Sequence, residues 1–208
     1  KKLFPLIKNF YSQIYSSFNT IYTINETDYI FLKRIINKKS RMLIRVLGSP
    51  RYDMVDKKNK QNKINTNINR PLRIVAGSMW PEDDKIILPV LISFMKKYPL
   101  LQLMWVPHEP NKDYINTTIK YFKNKNIDFE LYSKNNNLNK KIIIMDEIGH
   151  LYKIYWKSKI AYIGGGFSNG VHNVMESSIA KIPTIFGPNY KNSHAAEELI
   201  NEQGGFCV

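Results

Sequence analysis

The stretch GGGFSNGVHNVME, residues 164–176, follows an apolar run at 160–163 and leads into residues with a helical pattern. Three glycines after a buried strand allow positive φ angles and let the backbone come close to a bound group. The N–H groups at the start of a following helix favour an anion such as phosphate. Glu176 is predicted one helical turn in, on the face that carries His172 and Asn173. Since a carboxylate can accept hydrogen bonds from two neighbouring ribose hydroxyls, the stretch predicts a nucleotide-sugar site.

Strands and helices alternate on both sides of this stretch. Short apolar runs predict strands, and segments of helical periodicity separate them. Pro81 at a first helical position, with acids directly behind it, marks the clearest helix start. This alternation predicts an α/β fold with a Rossmann-like, doubly wound parallel sheet. The predicted strands are 72–76, 100–106, 127–132, 141–145, 159–163 and 183–186; the predicted helices begin near 81, 112, 147 and 193, and one more ends at 180.

Four unusual loops follow predicted strands of this sheet, at 77–78, 107–110, 146–149 and 164–173. The carboxyl ends of parallel strands lie at one edge of the sheet, where doubly wound folds bind their ligands. We therefore expect these loops to converge on a single site.

The amino-terminal part of the chain has a different organisation. Apolar spacing predicts a helix over 3–18, and Asn25 is expected to cap a second helix that ends near 36. Strands are predicted at 20–24 and 42–47, with a turn at 48–51. The segment 57–70 is polar and without periodicity, which indicates a linker. The sequence thus predicts the end of one domain at 1–56, a linker at 57–70 and a second domain at 71–208. The missing initial Met and a last segment that resembles the start of a strand predict that both ends are cut from a longer chain.

The composition allows several partners and excludes others. Lys and Arg number 31 against 17 Asp and Glu, a net charge of +14. Lys supplies 25 of the basic residues, so two explanations stay open: A/T-rich coding, or a basic surface for an anionic membrane. No Arg-rich or aromatic-interleaved patch supports nucleic-acid recognition. Cys207 is the single cysteine, which excludes an internal disulfide and fits a reducing compartment. No apolar run approaches the roughly 18 residues of a membrane span, and no signal peptide is visible.

Each motif has a simpler explanation that must be weighed. The glycine stretch has the wrong spacing for a dinucleotide fingerprint, and it lacks the Gly-Lys-Ser/Thr of a Walker loop. A tight turn without a ligand stays an alternative, and His172 alone could be a packing residue. The acids at 82–84 are interpreted as helix-dipole residues and little more. Four scattered histidines and one cysteine do not give metal-ligand spacing, so no metal is expected.

The motifs together resemble one family. They are GSMWPED at 77–83, VPHEP at 106–110, DEIG at 146–149, and YIGGGF through IPTIFGPN at 162–189. This set is similar to 3-deoxy-D-manno-octulosonic acid (Kdo) transferases of the Bacteroidetes type. The resemblance implies a two-domain GT-B fold and transfer of Kdo from CMP-Kdo to a lipid A precursor in lipopolysaccharide biosynthesis. It also implies work at the cytoplasmic face of the inner membrane, with this chain holding the tail of the amino-terminal domain and the carboxyl-terminal donor domain.

The resemblance assigns donor-binding roles residue by residue. Glu176 matches the ribose ligand, and Gly165 and Gly166 would bring backbone N–H groups to the phosphate. Many relatives have Arg at the position of His108, and Glu at that of His150. The family's catalytic base is a Glu in a glycine-rich loop near the start of its amino-terminal domain, and no residue of this chain aligns with it; no catalytic residue is therefore assigned. The expected CMP-Kdo contacts are Ser78, Pro107, His108, Ile148, Gly149, His150, Gly165, Gly166, His172, Asn173, Val174, Met175 and Glu176.

Two other functions stay open at this point. The first is a GT-B enzyme that uses a UDP-sugar, because the position of Glu176 suits any ribose. The second is a non-catalytic remnant that binds a nucleotide or a partner without turnover.

Overall fold

A computed structural model describes residues 5–37, 40–61, 69–135 and 138–208. The chain divides into two compact units, Lys1–Lys57 and Lys58–Val208. Each unit has a sheet of its own, with two strands in the first and seven in the second.

The first unit begins with helix α1 (Pro5–Ser16), strand β1 (Thr20–Thr23), helix α2 (Glu26–Ile35) and strand β2 (Leu43–Val46). β1 and β2 pair in parallel. The Asn25 side chain accepts a hydrogen bond from the Asp28 N–H at 2.8 Å, so the predicted cap of α2 is confirmed.

Helix α3 (Pro50–Gln61) includes parts of two segments that were predicted otherwise. The segment 48–51 was predicted as a turn, but the helix already begins at Pro50. Proline at a first helical position has no N–H to lose and a φ angle that suits a helix. Residues 57–61 of the predicted linker 57–70 belong to this helix, because Lys and Gln are good helix formers even without an apolar stripe. Residues 62–68 of that linker lie outside the described residues, so the linker stays a prediction.

The second unit is a seven-stranded, entirely parallel sheet with helices between its strands. The strand order is β5-β6-β4-β3-β7-β8-β9. This order confirms the predicted α/β fold with a Rossmann-like, doubly wound sheet. Its elements are β3 (Arg73–Met79), α4 (Pro81–Lys97), β4 (Gln102–Pro107), α5 (Lys112–Asn124), β5 (Glu130–Leu131), β6 (Ile142–Ile144), α6 (Leu151–Trp156), β7 (Ile160–Ile163), α7 (Met175–Ile179), β8 (Thr184–Phe186), α8 (His194–Asn201) and β9 (Gly205–Cys207).

Apolar residues of the central strands and of the two longest helices of this unit form the core. Strands of a parallel sheet are covered on both faces, which explains why β6 is a run of three buried isoleucines. Trp105 of β4 and Phe122 of α5 are fully buried in the same cluster as Leu88 of α4. An open apolar groove of about 640 Å³ runs beside this core, lined by α4 residues such as Phe94 and by Ile160 and Ile185 of the sheet.

The sheet has its topological switch point between β3 and β7. The chain leaves β3 toward β4 on one side and later returns to β7 on the other. Connections that diverge from two adjacent strands leave a crevice at their carboxyl ends, where ligands of this class of fold bind. The switch point therefore lies beside the glycine-rich stretch that follows β7.

Candidate functional site

Backbone hydrogen bonds join the carboxyl ends of the central strands. The N–H of His108 donates to the carbonyl of Met79 at 2.9 Å, and the N–H of Gly164 donates to the carbonyl of Gly77 at 2.8 Å. The loops after β3, β4 and β7 thus meet at the switch point. The predicted turn at 77–78 is instead the irregular end of β3, with a register shift after Ala76 and a φ angle of +55° at Ser78.

Three aromatic rings from these three loops lie in contact. The ring centroids of His108 and His172 are 4.0 Å apart, and that of Trp80 lies 4.7 Å from His108 and 5.9 Å from His172. The Trp80 ring is nearly parallel to both imidazoles. We call these residues the Trp80–His108–His172 cluster; it brings together two predicted site residues and one that the prediction left out.

The glycines of residues 164–166 are required because loops cross at very short distance. A Cβ atom on Gly164 would collide with the carbonyl oxygen of Ser78, and one on Gly166 would lie 2.5 Å from the backbone nitrogen of Gly187. Any side chain here would push the loop after β7 away from its neighbours. The glycines therefore set the packing of three loop backbones, in addition to any contact with a ligand.

The Gly165 amide has a partner within the protein. Its N–H donates to the Asp83 carboxylate at 2.8 Å. In this structure the carboxylate therefore occupies the N–H that was expected to reach a phosphate, and the contact of Gly165 with a phosphate stays a prediction. The acids at 82–84 were interpreted as helix-dipole residues, and for Asp83 that interpretation is incomplete.

The surroundings of His172 lower the pKa of its imidazole. The side chain is partly buried, and this burial lowers the pKa of its imidazole below the ordinary 6.5. The neighbouring His108 lowers this pKa further, and the negative charge of Asp83 acts in the opposite direction. A phosphate placed against the imidazole would favour the protonated form.

Helix α7 starts later than expected. The Asn173 side chain accepts a hydrogen bond from the Met175 N–H at 3.0 Å, and the helix begins at Met175. His172 and Asn173 therefore precede the helix, and the predicted helical face that they share with Glu176 is wrong. Glu176 lies half-buried in the first turn of α7. Its charge contributes to raising the pKa of Tyr155, whose largest cause is complete burial.

The loop after β6 also lies at the carboxyl edge of the sheet, apart from the Trp80–His108–His172 cluster. Asp146 accepts hydrogen bonds from the N–H and hydroxyl of Ser133, at 2.9 and 2.5 Å. His150 lies 3.2 Å from a carboxylate oxygen of Glu147. The side chain of Ile148, by contrast, is 82% exposed at the tip of the loop.

Within the part of the chain that the structure describes, no hydrogen bond, ion pair or ring contact joins this loop directly to the Trp80–His108–His172 cluster. The loop leads into α6, which packs against α7. Tyr155 of α6 interacts electrostatically with Glu176 of α7. The other predicted residues divide between these parts: Pro107 is buried at the end of β4, Val174 and Met175 are buried at the start of α7, and Gly149 has a φ angle of +92° beside Ile148.

The loop after β8 supports the glycine stretch. The Asn189 backbone donates to Gly166 and accepts from Val171, at 2.9 and 2.8 Å, and its side chain donates to the Ser168 carbonyl at 3.0 Å. Asn189 belongs to the stretch 162–189 but is not among the residues predicted to form the site. Its position directly after a predicted strand was the signal that could have identified it.

The described residues lack two features that would point to other functions. Within 5–37, 40–61, 69–135 and 138–208, no helix is both long and apolar enough to cross a membrane. The same residues contain no group of three or more His, Cys, Asp or Glu side chains that could hold a metal ion.

The parallel sheet, its switch point and the loops at this edge define the class of protein. The fold is a Rossmann-like α/β fold with a doubly wound parallel sheet. Among solved structures the chain is similar to the C-terminal CMP-Kdo binding domain of WaaA from Acinetobacter baumannii, with a TM-score of 0.59 and 21% identity. The match covers 76% of this chain and 81% of that chain.

The chain is also similar in sequence to several curated proteins. The chain is 35% identical over 138 residues to the 3-deoxy-D-manno-octulosonic acid transferase of Aquifex aeolicus, covering 65% of this chain and 37% of the relative. Against the enzyme of the same name from Chlamydophila psittaci it is 31% identical over 139 residues, covering 65% and 31%. For that of Rickettsia felis the identity is 25% over 150 residues, covering 71% and 32%. No protein-family model matches the chain.

Over these residues the chain is related in sequence to the 3-deoxy-D-manno-octulosonic acid transferases, and the resemblance of its motifs is confirmed. The chain spans about a third of the length of the curated relatives it matches.

Proposed function

We propose that this chain is the donor-binding part of a glycosyltransferase that transfers Kdo from CMP-Kdo to a lipid A precursor in lipopolysaccharide biosynthesis. The observation that carries the proposal is the contact of His108 with His172 at the switch point, in a chain related to Kdo transferases. The donor substrate is CMP-Kdo, and the proposal involves no further cofactor.

Each part of the edge has a role in this proposal. The phosphate of CMP-Kdo lies against His108 and His172, which can both donate hydrogen bonds to an anion. Glu176 accepts hydrogen bonds from the ribose hydroxyls. The exposed side chain of Ile148 and the adjacent backbone of Gly149 form an apolar surface against the pyrimidine.

The chemistry of transfer then needs a stabilised leaving group. An acceptor hydroxyl that has lost its proton to a base attacks the anomeric carbon of Kdo, the bond from that carbon to the phosphate oxygen breaks, and CMP leaves with inversion. Negative charge grows on the departing phosphate. His172, protonated against that phosphate, would donate a hydrogen bond where the charge develops. The base itself is not among the residues that we assign in this chain.

Titration calorimetry tests the donor site. We expect CMP to bind more tightly than UMP or UDP, and Glu176→Ala to weaken CMP binding because the ribose loses its acceptor. The matched control is Glu202→Ala, which removes an exposed acid just after α8. Tighter binding of UDP would favour a UDP-sugar enzyme instead, and a folded chain that binds no nucleotide would overturn the proposal.

The proposal also assigns the protein to the cytoplasmic face of the inner membrane, where its acceptor lies. The supporting feature is the excess of 31 basic over 17 acidic residues. Lys-rich surfaces bind anionic lipids through charge, and added salt screens this attraction. We expect the chain to sediment with anionic vesicles at low salt and to be released at about 0.5 M salt, where the Debye length is only a few ångströms. Equal sedimentation with neutral vesicles would contradict this assignment.

A further inference from the structure

Asp83 is a buried carboxylate that ties together several parts of the candidate site. It is the third residue of α4, and its side chain has no exposed surface. One oxygen accepts the N–H of Gly165 at 2.8 Å and that of Trp80 at 3.2 Å. The other accepts the hydroxyl of Tyr162 at 2.9 Å. Burying a charge costs free energy unless hydrogen-bond donors surround it. The three hydrogen bonds therefore stabilise the buried carboxylate, and the carboxylate in turn fixes the positions of its three donors.

These bonds act on the loops that carry the Trp80–His108–His172 cluster. Trp80 is the residue before α4, and its bond to Asp83 fixes the backbone from which the indole ring projects toward His108. Gly165 belongs to the loop after β7, and the N–H of His172 donates back to the adjacent Gly164 carbonyl at 3.1 Å. One side chain of α4 thus anchors the backbone on both sides of the crevice.

Asp83 also acts on His172 through its charge. Burial and the neighbouring His108 both lower the pKa of the His172 imidazole, and Asp83 is the group that raises it. The groups that influence His172 therefore come from the loop after β4 and from α4, and of the two only Asp83 favours the imidazolium form.

We propose that Asp83 is a positioning residue of the donor site, which holds the loops of Trp80 and Gly165 so that His108 and His172 face one ligand. The identity of that ligand, a nucleotide phosphate, rests on the proposed function. The coupling between Asp83 and His172 does not depend on the proposed function.

The variant Asp83→Asn removes the negative charge of the side chain but keeps its size and its capacity for hydrogen bonds. The amide oxygen can still accept the N–H groups of Gly165 and Trp80, while the NH2 group donates to the Tyr162 oxygen. We expect NMR titration to show a lower pKa for His172 than in the unchanged chain. The affinity for CMP at pH 6.5 should fall by about three- to tenfold, as for residues coupled through shared hydrogen bonds. Glu82→Gln is the matched control, because it removes an exposed acid from the same helical turn.

A second variant, Tyr162→Phe, is expected to shift the pKa of His172 in the opposite direction. It removes one donor from the carboxylate and leaves the backbone bonds in place, so the charge of Asp83 is less neutralised. We expect the pKa of His172 to rise in this variant. Circular dichroism establishes that each variant is folded before its titration is compared.

The outcomes separate this proposal from the proposed function. A folded Asp83→Asn variant with unchanged His172 titration would overturn the influence of the Asp83 charge. A folded Asp83→Ala variant, which lacks all three hydrogen bonds, would overturn the positioning role if its CMP affinity were unchanged. If Asp83→Asn does not fold, an unchanged His172 titration in Tyr162→Phe overturns the influence of the charge equally. If the unchanged chain binds no CMP, the proposed function fails, and the two titrations still decide whether Asp83 controls His172.

Discussion

Asp84 follows Asp83 in the chain but has a different environment. Burial raises the pKa of its carboxyl to about 7, with a smaller contribution from the charges of Asp83 and Glu82, and the Tyr114 hydroxyl of α5 acts in the opposite direction. The folded state therefore holds this proton more tightly than the unfolded chain, whose carboxyl titrates near 3.8. Between these two values the free energy of unfolding falls as the pH rises, and above pH 7 the full cost of the charge remains.

Asp84→Asn should consequently stabilise the protein at neutral and alkaline pH. The amide has the shape of the carboxyl without its charge. We expect a gain of about 1–2 kcal/mol at pH 8, because solvent reaches part of the side chain and screens its charge. Little change is expected at pH 4.5. Urea unfolding at both pH values measures this difference, with Asp113→Asn on the exposed first turn of α5 as control. Equal stabilisation at pH 4.5 and pH 8 would contradict the titration of Asp84.

His172 gives a prediction for ligand binding. Because the pKa of its imidazole is lowered in the free protein, binding of a phosphate should be accompanied by uptake of a proton. CMP affinity is then expected to rise several-fold as the pH falls from 8 to 6.5, the range in which the nucleotide phosphate, with a second pKa of about 6, stays largely dianionic. His172→Gln should abolish this dependence. His194→Gln, on the exposed face of α8, should leave it unchanged, and calorimetry at several pH values distinguishes the two.

At the scale of elements, the contact between β3 and the loop after β7 limits what Gly164 can become. In Gly164→Ala the new Cβ atom would meet the Ser78 carbonyl, a backbone atom that cannot rotate away. We expect a loss of about 2–3 kcal/mol in the free energy of unfolding, typical of overpacking at a rigid site. Gly204→Ala is the control, since its Cβ atom would make an ordinary contact of 3.4 Å with Leu199. Urea unfolding compares the two, and an equal cost would show that the loops can separate freely.

Elements that depend on local signals could be predicted from the sequence. Asn25 caps α2, Pro81 opens α4 and Ser193 caps α8, each where its own residue type requires it. Alternation of apolar runs and helices was sufficient for the parallel sheet. The start of α3 at Pro50 was missed because a proline marks turns and helix starts alike.

Features that arise from tertiary contact could not be predicted. The helix dipole fully explains an acid at the position of Asp83, and only its proximity to Gly165 reveals a second role. The contact of Trp80 with His108 likewise depends on the pairing of β3 with β4. The sequence alone does not show that Asp83 lies close to Gly165, or that Trp80 lies close to His108.

At the scale of the whole molecule, each unit has its own interior. The core cluster lies between Ala76 and Tyr162, all within the unit Lys58–Val208, and the buried residues of α2 are Leu32 and Ile35. A unit that contains its own core should fold alone. The loops of the candidate site also belong entirely to this second unit.

We therefore expect a variant that begins at Lys58 to fold and to bind CMP within about twofold of the intact chain, as for an autonomous domain. A variant that begins at Pro81 is the control, because it loses β3, the strand that pairs with both β4 and β7. Circular dichroism and urea unfolding of both variants, followed by calorimetry with CMP, make the comparison. Since every residue proposed to contact the donor lies after β3 begins, a folded but non-binding Lys58 variant would mean that the first unit contributes to the site. Failure of this variant to fold would refute the division at residue 57, and with it the expectation that a domain ends near 56.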